Sequence, residues 1–248
     1  MIRIEDLHKS FDGQEVLRGV SLQVNPGEFV ALIGMSGSGK SLLLRHIVRL
    51  IKPNSGRVLV DGHDVAQMPR AELEALRSRV GYVFQSGALF DSETVYDNVA
   101  FPLREKTRLG ESEIRRKVMT ELDLVGLKDA GAKYPAQLSG GMLKRVALAR
   151  TLVRSPEIIL FDEPTTGLDP IVVNSILELF AAAHQRLHLT GILVSHEIPE
   201  IFGIVQKIAM LYEGKIVAVE PPEALGTAAN PILDQFVHGK LEGPLQYR

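Results

Sequence analysis

Gly34, Gly39, Lys40 and Ser41 stand at the fixed positions of G-x-x-x-x-G-K-[ST], in the run Gly34-Met35-Ser36-Gly37-Ser38-Gly39-Lys40-Ser41, with Leu42 next. Glycines let the backbone curl so that successive N–H groups point inward at an anion. A helix opening near Lys40 adds the positive end of its dipole to the same spot. The Lys40 ammonium has the reach for the outer phosphates of a polyphosphate, and the Ser41 hydroxyl is a ligand type for Mg²⁺. A flexible Gly/Ser linker is the competing reading. The apolar run Phe29 to Ile33 precedes the loop and Leu42 to Leu44 follow it, so the frame is strand, loop and helix.

A second concentration of chemistry is Asp162-Glu163. It ends the apolar run Ile158 to Phe161, which reads as a strand buried on both faces. Adjacent carboxylates there are costly unless compensated. A bound Mg²⁺ and an attacking water supply the compensation, with Asp162 in the metal shell and Glu163 polarising the water. A solvated loop pair is the alternative. Gln85 follows the short strand Gly81 to Phe84, placed to ligate Mg²⁺ or orient water, or standing as a surface residue. His196 follows Ile192 to Val194, where it is placed to hydrogen-bond a terminal phosphate. His184 and His188 read as helix-surface residues. Ser139-Gly140-Gly141 opens another helix, with Ser139 as N-cap: a second anion site or a plain cap. Phe11, beside the first turn, stacks on an adenine ring or packs on its sheet; the residues leave both open.

The elements that must position these groups follow from periodicity and breakers. Ile2 to Leu7 alternates like a half-buried strand, Asp12-Gly13 turns the chain, and Val16 to Val24 is a second strand. A helix is expected over Leu42 to Ile51, a strand over Arg57 to Val60, and a short helix over Glu72 to Arg79. Thr94 to about Arg150 is mostly helical, with Ile114, Val118, Leu122 and Val125 on one face. Asp169-Pro170 starts a helix whose face carries Val173, Ile176, Leu177, Phe180, His184 and Leu187. Ile208 to Tyr212 and Ile216 to Val219 form a closing hairpin around Glu213-Gly214. The expectation is an α/β ATPase core with an inserted helical subdomain at about 88–150. Its ligands gather at the C-terminal ends of parallel strands.

Composition narrows the function classes. The 248 residues are 45% apolar and 23% charged, ordinary for a globular protein. A formal net charge of −2 carries no electrostatic footprint for nucleic acid. Cysteine is absent, which excludes disulfides and thiolate metal sites. No apolar run reaches the roughly 18 residues a membrane span needs. The charged, alternating N-terminus is not a signal peptide. A soluble, cytosolic chain is expected, reaching a membrane through a partner.

The ordered set Gly34–Ser41, Gln85, Leu138-Ser139-Gly140-Gly141-Met142, Ile158–Glu163, Gly167-Leu168-Asp169 and His196 resembles the ATP-binding cassette ATPase of ABC transporters over residues 1 to about 225. The resemblance implies a P-loop NTPase fold: a mixed central sheet, an N-terminal antiparallel β subdomain, and the inserted helical subdomain. The cofactors it implies are ATP and Mg²⁺. Phe11 would stack on adenine, the loop from Gly34 through Leu42 would bind phosphate, and Ser41, Gln85 and Asp162 would surround the metal. Glu163 would be the general base, Gln85 would sense the metal, and His196 would contact the γ-phosphate. Ser139, Gly140 and Gly141 would bind the ATP of a second copy, which gives both helix starts a use. Met142 departs from the Gln of most members and puts one side-chain contact in doubt. LSGGM, with Gly87–Ser92, Thr94–Arg104 and the tail Gln235–Gly239, is similar to the subgroup that pairs with a multi-span permease and a mammalian-cell-entry-type lipid-binding protein. Those ATPases sit on the cytoplasmic face of the inner membrane and power phospholipid movement between inner and outer membranes. The alternative is another importer, for amino acids or a small nutrient. In the subgroup the tail, here 226–248, can reach across to the partner ATPase; Ile232, Leu233, Phe236 and Val237 would anchor it. A self-packed tail is the other possibility.

Overall fold

In a computed structural model, described for residues 1–195, 198, 200–225 and 230–245, two sheets stack through one shared apolar layer. The larger has six strands in the order β10 (Lys215–Glu220), β9 (Lys207–Tyr212), β3 (Phe29–Ile33), β8 (Thr190–Val194), β7 (Ile158–Asp162) and β6 (Val80–Val83). All are parallel except β10, which returns antiparallel on β9. Strands β3, β7 and β8 are buried at every residue because both faces are covered. Phe29, Ala31 and Ile33 face a helical layer with Phe161 and Phe180. Val30 and Leu32 face the opposite layer with Leu43, Leu44 and Ile47.

The smaller sheet runs β2 (Gln14–Val24), β1 (Ile2–Phe11), β4 (Ser55–Val60), β5 (His63–Asp64), all antiparallel. Its inward residues Ile2, Ile4, Leu7, Val20 and Leu22 share the second layer with α1 (Lys40–Ile47) and α2 (Arg70–Arg79). Helices α3 (Val95–Lys106), α4 (Glu111–Leu124) and α5 (Gly140–Leu152) pack on one another between β6 and β7 in the chain. The expected α4 face is buried: Ile114, Val118, Leu122 and Val125 all lie in the core. Helix α6 (Pro170–Leu187) buries Val173, Ile176, Leu177 and Phe180, as its pattern requires.

Two expectations are corrected. The helix expected to Ile51 stops at Ile47, because Arg49 turns left-handed (φ 50°) and donates to the Met68 and Val65 carbonyls. His184 is not a surface residue: its ring packs edge-on against Phe29 (5.3 Å, 74°), with Nδ1 buried and unpartnered. The i, i+4 step from Phe180 carries it under the sheet. At the C-terminal end, α7 (Pro231–His238) packs on its own chain, with Leu233 fully buried and Asn230 Nδ2 donating to Val217 O at 2.8 Å. Buried Gln235 is held through Leu245 N and Lys240 O.

Candidate nucleotide site

The loop between β3 and α1 crosses the C-terminal edge of the large sheet. Gly34 has φ 146°, and a Cβ there would lie 2.2 Å from Leu211 O on β9, so only glycine fits. Lys40 is 5% exposed and curls under the loop, Nζ donating to Gly34 O (2.8 Å) and Met35 O (2.9 Å). Burial lowers its pKa, against the opposing pull of Glu163 and Asp162. Ser38 Oγ is buried without a hydrogen-bond partner. A buried lysine beside an orphaned hydroxyl, at a helix N-terminus, is a donor set suited to an anion.

Ser41 lies in the first turn of α1 and faces Asp162 at the end of β7. Its Oγ donates to Asp162 Oδ1 at 2.5 Å. Two oxygens so placed suit a hard divalent cation such as Mg²⁺, with Ser41 and Asp162 as its holders. Glu163 follows in a left-handed conformation (φ 50°), a strained state that tertiary contacts must hold. Its amide donates to Val194 O at 3.0 Å, which ties the turn to β8. Gln85 Nε2 and Thr166 Oγ1 both approach Glu163 Oε2 at 3.4 Å. Loop, Lys40, Glu163, Thr166 and Phe236 of α7 line one cavity of about 620 Å³.

Ser139, Gly140 and Gly141 lie elsewhere. Ser139 caps α5, its Oγ accepting from Met142 N at 3.4 Å. A Cβ on Gly141 would meet Val172 of α6 at 2.6 Å, so glycine permits the close approach of α5 and α6. These residues line a separate cavity of about 450 Å³ with Gly167 and Asp169, and share none with the phosphate-loop cavity. Within one chain the two helix starts are therefore not brought together. Phe11 is 46% exposed at the end of β1, with Lys9 Nζ 5.1 Å from its ring centre, so it is not a core residue. Beside it, Gln14, Arg18, Gly37 and Ser38 line a further cavity between the small sheet and the phosphate loop. His196 lies outside the described residues.

Sequence reasoning missed four contributors. Tyr82 donates to Asp162 Oδ2 at 2.9 Å, and Thr166 reaches Glu163. Lys144 donates to Gln85 O, and Arg150 donates to Gly87 O and Ala88 O at 2.8 and 2.7 Å. Both cations sit on α5, so the helix opened by Ser139 also grips the segment after β6. Burial lowers the pKa of each. Their only local signal was a basic residue on a largely apolar helix.

The family model for the ABC transporter domain matches residues 17–166, more than half of the chain. The chain belongs to the ABC transporter family. The cassette is 39% identical over 248 residues to the intermembrane phospholipid transport system ATP-binding protein MlaF of Haemophilus influenzae, covering 100% of this chain and 94% of that one. It is 40% identical over 244 residues to the probable ribonucleotide transport ATP-binding protein mkl of Mycobacterium leprae, covering 98% of this chain and 70% of that protein. Among solved structures, the dimeric post-hydrolysis state of the ATP-binding cassette MJ0796 bound to ADP and Pi superposes with TM-score 0.82 at 32% identity, over 90% of this chain and 99% of the other. CbiO1 of Clostridium perfringens gives TM-score 0.84 at 31% identity, over 97% and 95%. The expected fold and ATPase class both stand.

Proposed function

We propose that the chain is the ATP-hydrolysing subunit of a transporter that moves phospholipid between inner and outer membranes through a permease. The observation that carries this is the end-to-end match to the phospholipid-transport ATPase, which continues past the family domain into the tail. In this reading the loop from Gly34 through Leu42 cradles the phosphates, and Phe11 stacks on the adenine beside the small-sheet cavity. Ser41 and Asp162, with Gln85 following β6, would hold Mg²⁺, which when bound would supply positive charge against the phosphates. Glu163 takes the proton of the attacking water, oriented by its contacts to Gln85 and Thr166. His196 contacts the γ-phosphate.

The disjoint cavities support a dimer in which Ser139, Gly140 and Gly141 of one copy close on the phosphate loop of the other. The helical subdomain at about 88–150 docks the permease, which holds the chain at the cytoplasmic face of the inner membrane. A mammalian-cell-entry-type lipid-binding protein completes the complex. No helix of the described residues is long and apolar enough to cross a membrane. A second reading, ribonucleotide transport, has the name of the mycobacterial relative behind it, of which this chain spans the smaller share.

Purification with the co-encoded permease, followed by lipid extraction and hydrolysis assays in nanodiscs, decides between them. Phospholipid is expected to co-purify and to alter the hydrolysis rate. A complex free of phospholipid whose hydrolysis responds to a soluble nucleotide would overturn the reading in favour of the second.

A further inference from the structure

Asp162 has two carboxylate oxygens, and the structure gives each a donor. Oδ1 accepts from Ser41 and Oδ2 from the phenol of Tyr82, at 2.5 and 2.9 Å. Tyr82 belongs to none of the motifs above. Strands β6 and β7 are parallel neighbours with Tyr82 opposite Leu160. Side chains alternate along a strand, so Tyr82, Leu160 and Asp162 share one face of the sheet. That face is the one α1 covers. The phenol spans the remaining two-residue offset, about 7 Å of strand. Stacking on Phe84 (4.2 Å between centroids, 27° between planes) keeps the ring in place. Arg45 stands one helical turn beyond Ser41 on α1, and its positive charge acts on the same phenol.

We propose that Tyr82 is a positioning residue for the metal half of the site: by engaging Asp162 Oδ2, it aims Oδ1 at Ser41 and presets both oxygens for a divalent cation. The terminal torsion of an aspartate is broad and two-fold, so a carboxylate held at one oxygen alone swings. Held at both, it presents one orientation before the cation arrives. Partners that orient a metal's ligands typically change its affinity by about 10- to 100-fold when removed. The inference rests on the reading that Ser41 and Asp162 face a divalent cation. Phenylalanine at position 82 keeps the ring packing and deletes only the donor, which separates positioning from core filling.

The test uses the full chain loaded with ADP and titrated with Mn²⁺, free metal being read by electron paramagnetic resonance. Tyr82→Phe should raise the Mn²⁺ dissociation constant about tenfold while leaving ADP affinity in EDTA within about twofold of wild type. Tyr82→Met, lacking ring and hydroxyl, should raise it at least as far. Wild-type manganese binding by either variant overturns the proposal. Equal weakening of metal-free ADP binding also overturns it, because the damage would then be general. Ser41→Ala distinguishes failure of the underlying reading: if it binds Mn²⁺ as wild type does, the cation does not sit there, whatever Tyr82 does.

Discussion

Arg186 on α6 grips Glu121 on α4 through Nη1 and Nη2, at 2.9 and 3.0 Å, and the Glu121 side chain is only 9% exposed. The pair fastens the helical layer to the helix that starts at Asp169. Removing the arginine alone leaves a buried carboxylate without its counter-ion. Arg186→Ala should therefore destabilise the chain by about 3 kcal/mol, whereas a Glu121→Met, Arg186→Met double variant should be close to neutral. Urea unfolding of the three proteins measures both values.

Glu163→Gln keeps the size of the side chain and removes the carboxylate proposed as the base. Hydrolysis should fall at least about a hundredfold, the lower end of what a positioned base contributes. ATP binding should persist, and the variant should accumulate as an ATP-dependent dimer. Light scattering with and without ATP reads this directly; a monomeric variant with wild-type turnover contradicts the assignment.

Gly34→Ala should be among the most damaging single substitutions. The new Cβ meets a backbone oxygen of β9 and the residue sits at positive φ, so strain and clash combine. A loss of about 3 kcal/mol is expected, the upper range for one residue held in such a conformation. A melting temperature equal to that of wild type would show that the loop has another conformation available.

Phe11→Ala tests the exposed aromatic. Little of the ring's packing is at stake, so stability should change by less than about 0.5 kcal/mol. Losing a stacked ring is worth about 1 kcal/mol, which corresponds to roughly a fivefold weaker ATP affinity, whereas Phe11→Tyr should retain it. Isothermal titration with an ATP analogue supplies the number, and unchanged affinity in Phe11→Ala contradicts the stacking role.

The two shielded histidines make stability depend on pH. His46 is buried, with Nδ1 bound to Leu42 O at 2.7 Å and Nε2 unpartnered; His184 packs on Phe29. Burial, the leading cause, lowers both pKa values below 6.5. The folded state then binds fewer protons than the unfolded one below that value. Their contribution to stability should be complete above about pH 6.5 and should be lost as pH falls below it, until the lowered folded-state pKa is passed. His46→Gln should flatten the melting-temperature profile between about pH 7 and 5. A profile of unchanged slope in that variant assigns the pH dependence to other groups.

Local order is legible in the sequence wherever periodicity or backbone geometry is local. The phosphate loop, the doubly apolar strands at Phe29, Ile158 and Ile192, and the buried face of α4 all follow from spacing alone. His184 was misread because its surroundings come from β3, far away in the chain. Lys144 and Arg150 were invisible for the same reason, since the carbonyls they bind belong to the segment after β6. The residue types determined that Gly34–Ser41 forms a loop suited to an anion, and that carboxylates able to serve it follow at Asp162-Glu163. Only the tertiary structure decided that β7 lies between β8 and β6, which brings Asp162 to Ser41 and to Tyr82 across 121 and 80 residues. It also put Ser139 and the phosphate loop in separate cavities. The lateral order of parallel strands is set by long-range packing of faces that are all equally apolar, and such faces leave no periodic trace of which neighbour each strand will choose.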